Sequence, residues 1–457
     1  MERIAIINGC LVTMDPARRI IPAGRVVIED GTIRSVEPAG AGESRGHFAD
    51  VIDARGCAVL PGLVNAHTHL YMSLGRTLGF DQPFEEWLPT QKKFIAQYTE
   101  EEFATCVELG IIENLRSGNT CVVDNLAVPA ASENRLYEAA LASARQLGVR
   151  YVLARGYTDQ FNAPEYLETP PQIEARLRQL VKAHGGRADD RIDLMLSPML
   201  PWAVSREGFA LTRRLATELG LRIHMHTAET QGYAPLIQKA HGHPSNIRVY
   251  QEGGCLGPDV QLLGCAFVSP DEIETVRATQ TAVILDPTAS MYLGMGMPPS
   301  TRLLSAGVPV ALGTNGVACN GSQDMFESMK NAAGLAKIAE RNGAAVTQQR
   351  VLELATIEGA RALGLDARIG SIEPGKRGDL IIVDLTSPYA APVLNVVAAL
   401  VSSCKGRDVR HVLVDGRVVV RDGKLVTGDE AAVLGRAKVA ALRCAEKAGL
   451  TDRLALT

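Results

Sequence analysis

Val59-Leu60-Pro61-Gly62-Leu63-Val64-Asn65-Ala66-His67 is a short apolar run ending on an imidazole, and it opens a long alternation of strands and helices. Comparable runs follow at Thr120–Asp124, Arg150–Ala154, Ile192–Ser197, Leu221–His226, Val260–Cys265, Ala282–Leu285 and Val308–Gly313. The stretches between them carry helix punctuation. Thr99 with Glu102, and Ser269-Pro270 with Glu272, read as capping boxes, and Gly148 as a helix stop. Eight strand–helix repeats over about 300 residues predict an α/β fold, a (β/α)8 TIM barrel over 59–364. A doubly wound sheet is the runner-up, but no GxGxxG or P-loop follows a strand.

Outward from the barrel, the two chain ends look alike. Asp30-Gly31, Asp415-Gly416 and Asp422-Gly423 each join apolar strands. Asp-Gly there signals a tight hairpin, because both turn residues take positive φ. Residues 1–58 and 365–457 are therefore expected to build one small β-sandwich domain together.

Composition narrows the class. The 457 residues are 46% hydrophobic and 21% charged, enough for a large core plus a smaller unit. A net charge of −4 calls for neither nucleic acid nor an anionic membrane. The opening run Arg3–Ile7 is too short for a signal-peptide core or a membrane span. Nine cysteines without CxxC spacing read as reduced, mostly buried thiols, which suggests a cytoplasmic protein.

Three constellations carry chemistry. In Pro61-Gly62-Leu63-Val64-Asn65-Ala66-His67-Thr68-His69, the two histidines share a strand face and can reach one metal ion. Alone, an HxH is a weak signal. In Arg222-Ile223-His224-Met225-His226-Thr227-Ala228-Glu229, His226 ends a strand and Glu229 follows in the adjoining loop. A third imidazole with a nearby carboxylate suits a hydrolytic metal site, where the ion acidifies water and the carboxylate carries its proton. His224 lies one layer deeper and reads as a hydrogen-bonded core histidine. Val310-Ala311-Leu312-Gly313-Thr314-Asn315-Gly316 ends the eighth strand, where barrel enzymes place site residues.

These segments, with Ile369-Gly370-Ser371-Ile372-Glu373-Pro374-Gly375-Lys376-Arg377-Gly378-Asp379-Leu380, resemble the amidohydrolase superfamily over nearly the whole chain. The likeness is to its triazine hydrolase / chlorohydrolase and aminohydrolase branch. It implies metal ligands at His67, His69 and His226, Glu229 as acid/base, and one divalent ion per chain. That ion is expected to be zinc, with iron or cobalt as alternatives. It also implies a small-molecule substrate and a homo-oligomer.

The departures shape the expected chemistry. The branch's strand-six histidine corresponds to Gly264, its acidic ligand after strand eight to Asn315, and its Pro-His after strand four to Pro198-Met199. Leu285-Asp286-Pro287 stands where relatives often begin the turn after strand seven with histidine. Asn315 can offer an oxygen to the ion but cannot act as a base. His241 and His243 fall in a helix-to-strand connection and are expected at the surface. Met199, Trp202, Phe267, Met291 and Tyr292 are expected to line an apolar substrate pocket. The expected reaction is cleavage by metal-activated water of a C–N, C–S or C–Cl bond in a small neutral urea-, carbamate- or triazine-like molecule. A heterocycle deaminase is the alternative, and a catalytically inactive binding protein a third.

Overall fold

The computed structural model describes residues 3–40, 48–185 and 191–454. Its first five strands are Arg3–Val12 (β1), Ile20–Glu29 (β2), Thr32–Pro38 (β3), Asp50–Asp53 (β4) and Cys57–Pro61 (β5). The stretch Val59–His67 is thus two strands. β5 belongs to a sheet built from the chain ends, and the next strand, Leu63–Thr68 (β6), opens the barrel. Gly62 alone separates them, and a Cβ there would fall 2.0 Å from Thr120 Oγ1. Only a residue without a side chain lets the backbone cross so close to the neighbouring strand.

The barrel continues through Asn119–Leu126 (β7), Arg150–Tyr157 (β8), Ile192–Pro198 (β9), Arg222–Thr227 (β10), Val260–Gly264 (β11), Ala282–Leu285 (β12) and Val310–Leu312 (β13). All eight strands are parallel and paired in sequence order. The ring closes just past β13, where the Thr314 and Asn315 N–H groups reach His67 O at 3.1 and 3.0 Å. That closure sets the end of the eighth strand against the first imidazole.

The chain end adds Leu380–Asp384 (β14), Val409–Val414 (β15), Arg417–Arg421 (β16) and Lys424–Leu425 (β17). β14 pairs antiparallel with β5. Where a sandwich was expected, the hydrogen bonding runs through all nine terminal strands as one mixed sheet. Register breaks around Gly9 in β1 bend that long strand, as bulges do. The sheet has its own apolar core, including Ile4, Ile6, Leu11, Ile28, Ile33, Leu380 and Leu413. The Asp-Gly pairs at 30–31, 415–416 and 422–423 all take positive φ, as their sequence demands.

A buried ion pair ties the two units. Arg150, at the start of β8, makes a two-pronged contact with Asp379 at 2.8 and 2.9 Å, and neither side chain meets solvent. The Gly-Asp-Leu at the end of the Ile369–Leu380 motif is therefore a clamp between sheet and barrel.

Helices cover the barrel in the expected way. The Thr99/Glu102 box starts Glu100–Arg116, the Ser269/Glu272 box starts Pro270–Ala278, and Gly148 ends Arg135–Leu147 at φ 85°. The preceding helix, Phe84–Ile95 (α1), lies against the barrel mouth. Phe84, Trp87, Leu88, Gln91, Lys92 and Ile95 all face the cavity there, a stripe with the i, i+3, i+4, i+7 spacing of one helical face.

Candidate active site

His67 stands near the end of β6, His69 directly follows that strand and His226 stands near the end of β10, so the barrel brings together imidazoles far apart in sequence. One ring nitrogen from each lies within 4.8 Å of the others, and all three residues are buried. The opposite nitrogens explain which atoms converge. His69 Nδ1 is 2.6 Å from Asn125 O, and His226 Nδ1 is 3.1 Å from Met199 O. A carbonyl oxygen only accepts, so both Nδ1 atoms carry the proton and both Nε2 atoms offer lone pairs. His67 Nδ1 is 2.7 Å from His224 Nε2, and His67 Nε2 has no hydrogen-bond partner among the described residues. An orphaned nitrogen beside two free lone pairs is the donor set that a divalent, imidazole-preferring ion requires. Burial lowers the proton affinity of all four histidines, taking His69 to about 3 and His224 and His226 to about 4. The rings are therefore neutral at physiological pH, as ligation needs.

Glu229 follows β10 in the same pocket. The Tyr233 hydroxyl donates to its Oε2 at 2.6 Å. Burial pushes the carboxyl's pKa upward, against that hydrogen bond. Gly264, the family's strand-six histidine position, is where Glu229 packs: a Cβ at 264 would stand 2.5 Å from Glu229 Cγ. At φ +92° the position also demands glycine.

A second carboxylate, absent from the sequence-based site, lies nearby. Asp286 follows β12 and accepts from Asn315 Nδ2 at 2.6 Å. Its pKa is raised by burial and then by the charge of Glu229. Asn315, a candidate ligand, lines the same pocket, and its oxygen accepts from Gly316 N–H at 2.8 Å and from the Cys319 thiol at 3.3 Å. Cys319 lines the pocket, but burial raises its thiol pKa, which keeps it protonated.

The pocket encloses about 880 Å³ including its mouth. Of the expected apolar contacts, Met199 lines it, and Trp202 stands behind, edge-on to Tyr233 with ring centroids 4.5 Å apart. Phe267, Met291 and Tyr292 are exposed outside the lining: Phe267 follows β11, and Met291 and Tyr292 close the short helix Pro287–Tyr292 that opens the loop after β12. Leu293 and Met295 point inward from the same loop. His241 is buried, contrary to expectation: its Nε2 lies 2.8 Å from Pro201 O and braces the loop carrying Met199 and Trp202. The sequence reading missed Asp286, Tyr233 and the α1 stripe. For α1 a signal existed, an apolar helical period interrupted by Gln91 and Lys92.

The amidohydrolase family model matches residues 58–419, from the last terminal strand before the barrel into β16. The chain belongs to the amidohydrolase family. It is 35% identical over 450 residues to a 5'-deoxyadenosine deaminase of Methanosarcina acetivorans, covering 96% of this chain and 98% of that one. The structure superposes on a zinc-bound adenosine deaminase of Xanthomonas campestris with a TM-score of 0.90 at 29% identity, over 97% and 98% of the two chains. Zinc-bound atrazine chlorohydrolase of Arthrobacter aurescens shares the fold, with a TM-score of 0.89 at 21% identity over 96% and 100%. This amidohydrolase is thus a metal-dependent hydrolase by family. Among its described residues, no helix is long and apolar enough to cross a membrane.

Proposed function

We propose that this amidohydrolase is a heterocycle aminohydrolase, removing an amino group from a ring carbon of a flat nitrogen heterocycle that bears an apolar substituent. One observation carries the reading: the Glu229 carboxyl lines one pocket with His69 and His226, two of the three convergent imidazoles. The relatedness to 5'-deoxyadenosine deaminases supports an aminopurine ring without a 5'-hydroxyl over the urea- or triazine-like substrate expected from sequence.

In this reading His67, His69 and His226 hold one divalent ion, zinc first among the candidates. When bound, the ion lowers the pKa of water and so supplies a nucleophile at neutral pH. Glu229 takes the proton from the attacking water and delivers it to the departing nitrogen. Its buried setting suits both transfers, because a raised pKa lets it hold a proton between them. Tyr233 fixes one carboxyl oxygen and leaves the other to exchange the proton. Asn315 keeps its amide N–H on Asp286 and supports the second carboxylate. Trp87, Leu88, Met199, Leu293 and Met295 wall the cavity and exclude water around the ring.

A second reading has its own observation. Apart from His69 and His226, no imidazole lines the pocket among the described residues. A substituted triazine or urea, whose leaving group needs no further imidazole, fits such a cavity. A panel of 5'-deoxyadenosine, adenosine, aminotriazines, chlorotriazines and phenylureas, assayed with defined metals, separates the two. Ammonia release fastest from 5'-deoxyadenosine is expected. Release of chloride or alkylamine with no ammonia from any member overturns the aminohydrolase reading in favour of the second.

A further inference from the structure

His69 and His226 have their tautomers set by backbone carbonyls. His67 does not. Its Nδ1 faces another side chain, His224, and the His224 Nδ1 in turn lies 3.1 Å from Gln261 Oε1. We propose that Gln261 is a positioning residue that sets, through His224, which nitrogen of His67 faces the metal.

The direction of every hydrogen bond follows from the last one. Gln261 Nε2 lies 2.7 Å from Ala362 O, which only accepts, so the amide nitrogen must point there. Gln261 Oε1 is left to face His224 and can only accept. His224 Nδ1 therefore carries the proton, and its Nε2 presents a lone pair to His67. His67 Nδ1 donates into it, and His67 Nε2 is left bare toward the other two imidazoles. Reversing the chain sets a lone pair on His224 against the Gln261 oxygen and puts a proton on His67 Nε2, which then cannot ligate. His67, His224 and Gln261 are fully buried, so water cannot substitute for a missing partner. The strand register makes the relay possible, because His224 and Gln261 are direct neighbours across β10 and β11.

This inference rests on the reading that His67 holds the ion, and two measurements keep the two apart. The first is zinc affinity of the full chain, read by competition with a chromophoric chelator. Gln261→Leu removes the acceptor and should weaken zinc about 10- to 100-fold. Gln261→Glu, protonated in this setting, can still accept from His224 and donate to Ala362 O, and should stay within about threefold of wild type. A folded Gln261→Leu with wild-type affinity, or equal loss in both variants, overturns the proposal. The second measurement needs no variant and no metal. Nitrogen NMR of 15N-histidine-labelled wild-type protein should find the proton of both His67 and His224 on Nδ1, and a proton on His224 Nε2 overturns it. If wild type binds no zinc, the functional reading fails, while the tautomer measurement still decides this one.

Discussion

Asn315, at the end of the eighth barrel strand, donates its amide N–H to Asp286 at the end of the seventh, at 2.6 Å. An uncharged amide thus stands where the family usually has an acid, and the acid stands one strand away. Asn315→Asp would set two buried carboxylates at hydrogen-bond distance, able to coexist only by sharing a proton. The expected outcome is a metal-free variant less stable than wild type by about 3 kcal/mol at pH 9 and by much less at pH 6. Urea denaturation at the two pH values checks it. Equal loss at both would mean the pair is not in contact.

Glu229→Gln keeps the size of the side chain and an oxygen to accept from Tyr233, but it cannot carry a proton. Turnover of the best panel substrate should fall by at least about 100-fold. Zinc content by elemental analysis should stay at the wild-type level. Retained turnover would remove Glu229 from proton transfer.

Gly264→Ala adds one methyl group where Glu229 Cγ and Thr227 O already stand 2.5 and 3.0 Å away. With φ at +92° the backbone is strained as well, and the stability loss should be about 1–3 kcal/mol. Because the displaced side chain is Glu229, kcat should drop by more than tenfold while zinc affinity is kept. Gly264→His, which rebuilds the family's strand-six residue, should be at least as damaging. A His variant more active than wild type would show that Glu229 does not need this space.

Asp124 accepts from Leu70 N–H at 2.9 Å and from the Tyr151 hydroxyl at 2.6 Å, and burial raises its pKa from 3.8 to about 6. A raised carboxyl pKa means the folded state holds the proton more tightly than the unfolded state. Its contribution is therefore fully present below pH 3.8 and lost as the pH rises through about 6. Asp124→Asn has no such titration. The stability difference between variant and wild type should shift by roughly 2.5 kcal/mol in the variant's favour between pH 4 and pH 8. Denaturation curves at both values measure it, and a difference independent of pH contradicts the assignment.

The barrel was legible in the sequence because each of its strands is a contiguous apolar run with a helix stop or cap close by. The three convergent imidazoles were legible because HxH and HxHxxE fall at strand ends and the family resemblance singled out His67, His69 and His226 among the histidines. What stayed hidden depends on contacts between strands. Nothing local marks Asp286 as the partner of Asn315, or Gly264 as the space for Glu229. The outward turn of Phe267, Met291 and Tyr292 was unreadable for the same reason, since an apolar loop residue carries no sign of which way it points. The join at Gly62 was missed because Cys57–Val64 is apolar throughout, and hydrophobicity does not say that a run changes sheets midway.

That join also ties the first barrel strand to a distant part of the chain. β5 pairs on one edge with β1, near it in sequence, but its other edge is filled by β14, which follows the whole barrel. Without β14, β5 holds an apolar strand edge with unmet backbone groups, one residue upstream of the strand carrying His67. A chain lacking Leu380–Asp384 would present that edge to its neighbours and be prone to stick to them.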